Sequence, residues 1–256
     1  MISEDRSVAL ITGASRGIGA ATARELARRG YALVLAARSA GPLETLAAEL
    51  SRSGAPALPI PTDLRSVDEI HRLARLALAH FGRIDALIHN AGIGGDRPIA
   101  QMDGQTVATI IDTNLRAPIE LTRTLLPGML ERRRGSIVFV ASVVGHIGMP
   151  SSAIYSASKF GLRGFAHGLR REVARRGIGV TIISPGFIKT DMTRWMGDLP
   201  LPGPAIVARA IADALVRPRR EQFVPGYYRL LVWLEHLLPG LADVALRGRA
   251  KYKIQR

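Results

Sequence analysis

An apolar run, Val8-Ala9-Leu10-Ile11-Thr12, passes straight into Gly13-Ala14-Ser15-Arg16-Gly17-Ile18-Gly19 and on into a helix-like stretch. No other segment limits the fold as tightly. A run that is apolar on both faces reads as a buried strand. Gly13 permits the sharp turn that follows, while Gly17 and Gly19 remove side chains that would block a pyrophosphate. Gly17 to Arg29 reads as a helix, closed by Gly30 just past its C-terminus. Such a helix would turn its free N–H groups and positive dipole end toward phosphates. Three glycines alone are an ordinary βα turn. Between a first strand and a first helix they meet the context that a nucleotide site requires.

The rest of the chain repeats the alternation. Strand-like runs fall at 32–37, 57–60, 86–89, 136–141, 180–184 and 221–224, and helical patterns at 43–50, 67–81, 105–131, 155–176 and 204–216. Strands without in/out alternation, separated by helices, predict a parallel sheet covered on both faces, a doubly wound α/β (Rossmann) fold. No repeat or linker divides the 256 residues. Residues 1–225 are expected to form one nucleotide-binding and catalytic domain, with 226–256 as a C-terminal amphipathic helix and basic tail.

Composition removes several alternatives. Cysteine is absent, which excludes disulfides, thiolate zinc sites and Cys nucleophiles. His89, His146 and His236 lack metal-ligand spacing, so no metal is expected. Residues 135–158 carry no Lys, Arg, Asp or Glu, but Gly145, Gly148, Pro150 and six serines break the segment into a strand, a loop and a helix start. The N-terminus, Met-Ile-Ser-Glu-Asp-Arg, has no apolar core of a secretory signal, and a cytoplasmic location is expected. The net charge of +14 could serve a nucleic acid, yet only four of 35 cations are lysine, the arginines are dispersed, and no nucleic-acid-binding motif occurs.

Thr12-Gly13-x-x-x-Gly17-x-Gly19 departs from the G-x-G-x-x-G spacing, because Thr22 stands where its last glycine would fall. It resembles instead the short-chain dehydrogenase/reductase family. Further motifs follow in family order: Asp63 after the third strand, Asn90-Ala91-Gly92 after the fourth, then Asn114, Ser142, Tyr155, Lys159, Pro185-Gly186 and Thr190. The resemblance implies that Asp63 contacts adenine and that Asn90-Ala91-Gly92 stabilises the sheet beside the cofactor. It also implies a catalytic set of Asn114, Ser142, Tyr155 and Lys159, with Asn114 holding a water that relays protons to Lys159. Gly13, Ser15, Arg16, Gly17, Ile18 and Gly19 would meet the cofactor phosphates, and Pro185, Gly186 and Thr190 its nicotinamide side.

The second strand ends Ala36-Ala37-Arg38-Ser39 without the carboxylate that would accept hydrogen bonds from the NAD ribose. A guanidinium is a planar fork suited to phosphate, so Arg38, with Arg16 opposite, predicts NADP(H). Tyr155 and Lys159 lie four apart at a helix start, which makes them neighbours on one face. A free phenol titrates near ~10, and an adjacent cation brings it toward the working range of an acid/base. Ser142, closing the fifth strand, can hydrogen-bond the substrate oxygen. The expected activity is NADP-dependent hydride transfer between nicotinamide and a carbonyl or secondary alcohol. A 3-oxoacyl-carrier-protein reductase is the alternative within that chemistry. An epimerase or dehydratase of the extended family and a non-catalytic nucleotide sensor are more distant ones.

Met192, Trp195, Met196 and Leu199, with Ile147, Met149 and Phe187, predict a hydrophobic substrate. The family's usual pairing of the helices at 105–131 and 155–176 implies a homodimer or homotetramer. Finally, Tyr227, Leu230, Leu231, Leu234, Leu237, Leu238 and Leu241 recur at helical spacing, Pro239-Gly240 would end or kink the helix, and Arg247, Arg249, Lys251, Lys253 and Arg256 follow. Three fates are open for that stripe: packing on its own subunit, pairing with a neighbour, or peripheral contact with a membrane.

Overall fold

The computed structural model describes residues 6–95 and 97–247. Seven strands, β1 (Val8–Thr12), β2 (Ala32–Ala37), β3 (Ala57–Pro61), β4 (Ala86–His89), β5 (Gly135–Val140), β6 (Ile178–Pro185) and β7 (Glu221–Val224), form one sheet in the order β3-β2-β1-β4-β5-β6-β7. Every pairing is parallel. The order reverses between β1 and β4, so a crevice opens there at the carboxyl ends of the strands, where ligands bind in such sheets.

Helices cover both faces, as parallel pairing requires. On one face α1 (Gly17–Arg28), α2 (Ala40–Arg52) and α7 (Ala205–Val216) bury Leu26, Leu46 and Ile211 against Ile11, Leu33 and Ile88. On the other, α3 (Val67–Phe81), α5 (Ala117–Glu131) and α6 (Ala153–Glu172) bury Leu73, Leu121 and Leu162 against Leu10, Val34 and Phe139. Side-chain caps mark two helix starts: Ser66 Oγ accepts from the Glu69 N–H at 3.3 Å, and Asp103 Oδ1 from the Thr106 N–H at 2.7 Å. Residues 135–158 fold as a strand, a short turn and a helix start, and no helix among the described residues is long and apolar enough to cross a membrane.

One element differs in kind from the sequence expectation, and the tail is helical and bent where Pro239 was expected to end or kink it. The helical pattern at 105–131 is not one α-helix. It is α4 (Gly104–Ile111) and α5 joined by a π-turn at Asp112–Arg116. The Ala117 N–H reaches back five residues to the Asp112 carbonyl, and Pro118 has no N–H to offer Asn114. The extra residue in this turn carries the buried Asn114 side chain. The tail forms α8 (Tyr228–Leu237) and α9 (Pro239–Leu246), bent at Leu238-Pro239. Val232, which is not in the predicted stripe, is the only buried residue of α8, and α9 buries none. The stripe therefore faces away from its own subunit. Arg249, Lys251, Lys253 and Arg256 lie outside the described residues.

Candidate active site

A groove of about 670 Å³ runs along the crevice. Gly13, Ser15, Arg16, Gly17 and Ile18 line it from the first turn, Arg38 and Asp63 from the ends of β2 and β3, Asn90, Ala91 and Gly92 from the end of β4, and Thr190 from beyond β6. Its floor is pinned by backbone-directed polar bonds. Thr12 Oγ1 accepts from the Asn90 and Ala91 N–H groups, each at 3.1 Å, while Asn90 Nδ2 donates to the Thr12 and Gly13 carbonyls at 3.0 and 3.1 Å.

The glycines act partly otherwise than the sequence suggested. A Cβ on Gly19 would stand 2.1 Å from the Gly13 carbonyl oxygen and 2.6 Å from Asn90 Nδ2. Gly19 thus allows helix α1 to close onto the turn, rather than clearing space for a phosphate. Gly17 has φ +55°, a left-handed conformation that favours glycine. Arg16 reaches over the groove to Asp191 at 3.2 Å, both side chains being largely solvated. Asp63 is held below the usual carboxylate range chiefly by the Arg65 hydrogen bond, although burial opposes it.

Farther along the crevice Asn114, Gly92 and Lys159 converge. A Cβ on Gly92 would lie 3.4 Å from Lys159 Nζ and 3.5 Å from Asn114 Oδ1. Asn114 Oδ1 accepts from the Ile93 N–H at 2.9 Å, and its Nδ2 donates to the Ile93 carbonyl at 2.9 Å and Ser158 Oγ at 3.0 Å. Ser158 Oγ donates to the Tyr155 carbonyl at 2.7 Å, tying the π-turn to the start of α6. Lys159 is buried, donates to the Val140 carbonyl at 2.9 Å, and lies 5.8 Å from the centroid of the Tyr155 ring. Burial pulls its ammonium down from 10.5 to about 8. Ser142 follows β5, where its Oγ accepts from the Val144 N–H at 3.3 Å and starts the short turn at Val143–Gly145.

Of the apolar residues expected around the substrate, Met192 lines the groove, whereas Trp195 is 69% exposed and Leu199 51%. Pro185 ends β6, and Gly186 lies under an aromatic ring from α8. A Cβ there would come within 1.9 Å of the Tyr228 ring, whose hydroxyl accepts from the Phe187 N–H at 3.2 Å.

Sequence reasoning missed a charged cluster behind Ser142. Glu221, on β7, receives hydrogen bonds from Ser184 at 2.6 Å and Arg163 at 3.2 Å, and pairs with His146 Nε2 at 2.7 Å. His167 stands 3.8 Å away, and Arg163 also donates to the Gly145 carbonyl at 2.7 Å. Burial pushes the Glu221 carboxyl up, but the bonds from His146, Arg163 and Ser184 outweigh it and hold it at about 2. His89 does nothing of the kind. It stacks on Phe139 and pairs with Thr122, and burial lowers it to about 3.

Residues 7–198 match the short chain dehydrogenase family. The chain belongs to this family. It is 40% identical over 191 residues to the 3-oxoacyl-[acyl-carrier-protein] reductase of Escherichia coli, covering 75% of this chain and 77% of that one. The corresponding reductase of Synechocystis is 38% identical over 195 residues, 76% of this chain and 79% of its own. Among solved structures, an actinorhodin polyketide ketoreductase variant with NADPH superposes with a TM-score of 0.82 at 32% identity, covering 89% of this chain and 99% of that one. A metagenomic short-chain oxidoreductase in complex with NADP gives 0.76 at 32% identity, with 85% and 96% covered. In this short-chain dehydrogenase the glycine turn, Arg38, Asp63, Asn90-Ala91-Gly92 and Thr190 line one groove, and Asn114 and Lys159 stand beside Gly92.

Proposed function

We propose that the protein is an NADP(H)-dependent carbonyl reductase or alcohol dehydrogenase acting on a hydrophobic substrate. The carrying observation is the buried Lys159 beside the Tyr155 ring, at the inner end of a glycine-floored groove whose β2 edge ends in Arg38. Both solved relatives named above were determined with this cofactor. The groove fits such a group: helix α1 starts on it at Gly17 with no side-chain cap, and Arg38 and Arg16 supply guanidinium forks for a 2′-phosphate. Ser15 and Ile18 complete that turn, with Asp63 at the adenine end and Asn90-Ala91-Gly92 along the floor. Pro185, Gly186 and Thr190 flank the nicotinamide end.

When bound, the reduced cofactor supplies a hydride. Ser142 donates a hydrogen bond to the substrate carbonyl, drawing charge toward its oxygen. Tyr155 gives its phenolic proton to that oxygen as the alcohol forms, and the Lys159 ammonium stabilises the resulting phenolate. Asn114 fixes the backbone at Ile93 and the Ser158 hydroxyl, and so positions the start of α6.

The bacterial reductases favour a second reading, reduction of a 3-oxoacyl thioester on an acidic carrier protein, for which the net charge of +14 is suited. The assay is loss of NADPH absorbance with ketones and aldehydes graded by hydrophobicity, and with 3-oxoacyl thioesters. The leading reading expects kcat/KM to rise with hydrophobicity and Trp195→Ala to flatten the trend. Preference for small charged carbonyls would overturn it, and preference for carrier-bound thioesters would install the second reading. Residues 1–225 form the catalytic unit in this reading, with 226–256 as an appendage. In this reading the protein works in the cytoplasm as a homodimer or homotetramer through α4–α5 and α6, and the stripe of α8 either packs within that oligomer or touches a membrane surface.

A further inference from the structure

Tyr228, the first residue of α8, lies beyond residues 7–198 that match the family, yet it touches the segment flanking the nicotinamide end. Strand β6 ends at Pro185, which pairs with Val224, and the Gly186 N–H closes that ladder by donating to the Val224 carbonyl at 2.9 Å. Strand β7 stops there, so the next donor, the Phe187 N–H, has no strand partner. A backbone donor shielded from water needs another acceptor. The Tyr228 hydroxyl is that acceptor, at 3.2 Å. Its ring also fills the space where a side chain at 186 would stand, because a Cβ on Gly186 would overlap Cδ2, Cε2 and Cζ of the ring.

The same segment leads back to the chemistry. Ser142 Oγ stands 3.5 Å from the Pro185 carbonyl oxygen, so residues 185–187 lie between Ser142 at one end and Tyr228 at the other. Tyr228 is no second proton donor, because burial raises its phenol above its ordinary value and weakens it as an acid. Its contribution is geometric. The Tyr228 N–H donates to the Pro225 carbonyl at 3.3 Å, and the Tyr227 ring stacks on its own with centroids 4.6 Å apart. Both contacts fix where the ring stands relative to the end of β7.

We propose that Tyr228 is a positioning residue for hydride transfer: by filling the space beside Gly186 and holding the Phe187 N–H, it sets where the nicotinamide-flanking segment stands against Ser142. The C-terminal segment then contributes to the catalytic unit as well as following it. This deepens the reductase reading and rests on it for the placement of the nicotinamide.

The test uses the full chain, and its first arm needs no turnover. Tyr228→Phe keeps the ring and loses the acceptor, so hydrogen–deuterium exchange of the Phe187 amide should run roughly tenfold faster than in wild type, with β1 and β4 unchanged. In NADPH-dependent ketone reduction the same variant should lose roughly tenfold in kcat, while NADPH affinity by fluorescence titration stays within about threefold. Deuterium on the transferring position of the cofactor should slow this variant more than wild type, because hydride transfer becomes rate-limiting. Gly186→Ala should lower kcat roughly a hundredfold alone and far less in a Tyr228→Ala background, where its Cβ has room. Val232→Ala, which loosens α8 away from Gly186, should lower the melting temperature and leave kcat unchanged. Unchanged exchange at Phe187, equal effects of Gly186→Ala in both backgrounds, or an equal kcat loss in Val232→Ala overturns the proposal. An active wild type beside an equally active Tyr228→Phe defeats the positioning role alone. A wild type that oxidises NADPH with no carbonyl defeats the reductase reading and the positioning role with it.

Discussion

Replacing Glu221 by alanine tests whether the cluster behind Ser142 holds the site together. The carboxylate is buried among Ser184, Arg163 and His146, and its removal leaves the Arg163 and His146 side chains without their acceptor. Removing one partner of a buried charged pair costs about 3–5 kcal/mol. The proton affinity gives a similar figure. A carboxyl held at about 2 rather than 4.5 corresponds to about 3 kcal/mol at neutral pH. For a chain of this size that lowers the melting temperature by roughly 6–12 °C. Because the folded-state value is depressed, the stabilisation is complete above pH 4.5 and is lost as pH falls toward about 2. The gap between wild type and Glu221→Ala, followed by circular dichroism, should therefore be full at pH 7 and shrink across that acid window. Glu221→Gln, which keeps an acceptor for Ser184, should fall between the two. Turnover adds an independent reading. Arg163 binds the Gly145 carbonyl, next to the turn that Ser142 starts, and lies one helical turn beyond Lys159. Misplacement there should lower kcat by roughly tenfold to a hundredfold with less change in KM. A Glu221→Ala protein melting within about 2 °C of wild type at pH 7 would refute the reasoning.

Gly19→Ala should abolish cofactor binding or folding, because its Cβ meets the Gly13 carbonyl; unchanged NADPH affinity by fluorescence titration would contradict that contact. Arg38→Asp should reverse the preference for NADP(H) over NAD(H), and comparable kcat/KM for the two cofactors in the wild type would defeat the assignment. Tyr155→Phe should retain NADPH binding while turnover falls by orders of magnitude, and near-wild-type activity would remove the phenol from the mechanism. Lys159, lowered to about 8, is charged below that pH and neutral above it, so kcat/KM for carbonyl reduction should decline as pH rises through about 8. A flat profile from pH 7 to 9 would exclude that cation from the proton transfer.

What the sequence disclosed and what it withheld divide along the range of the interactions involved. β1, β2 and β4 and helix α3 have the boundaries expected from residue pattern, because a strand buried on both faces or a helix with one apolar side restricts each residue locally. The motif residues from Gly13 to Lys159 were legible for a related reason: most sit at the carboxyl end of a strand or the start of a helix, where a turn limits the residue types. The π-turn escaped because one extra residue barely disturbs a helical period, and its signal was Pro118, which has no N–H for the Asn114 carbonyl. Glu221 escaped because its partners come from α6, β6 and the turn after β5, and nothing in Glu221–Val224 depends on them locally. The same limit governs the tail. Periodicity grouped the leucines of α8 onto one side, but which side meets the body depends on β7 and the Tyr228 contact with Gly186. A pattern of spacing is unchanged when a helix rolls about its axis. Only the neighbours decide the roll, and here they select Val232 and turn the leucines outward.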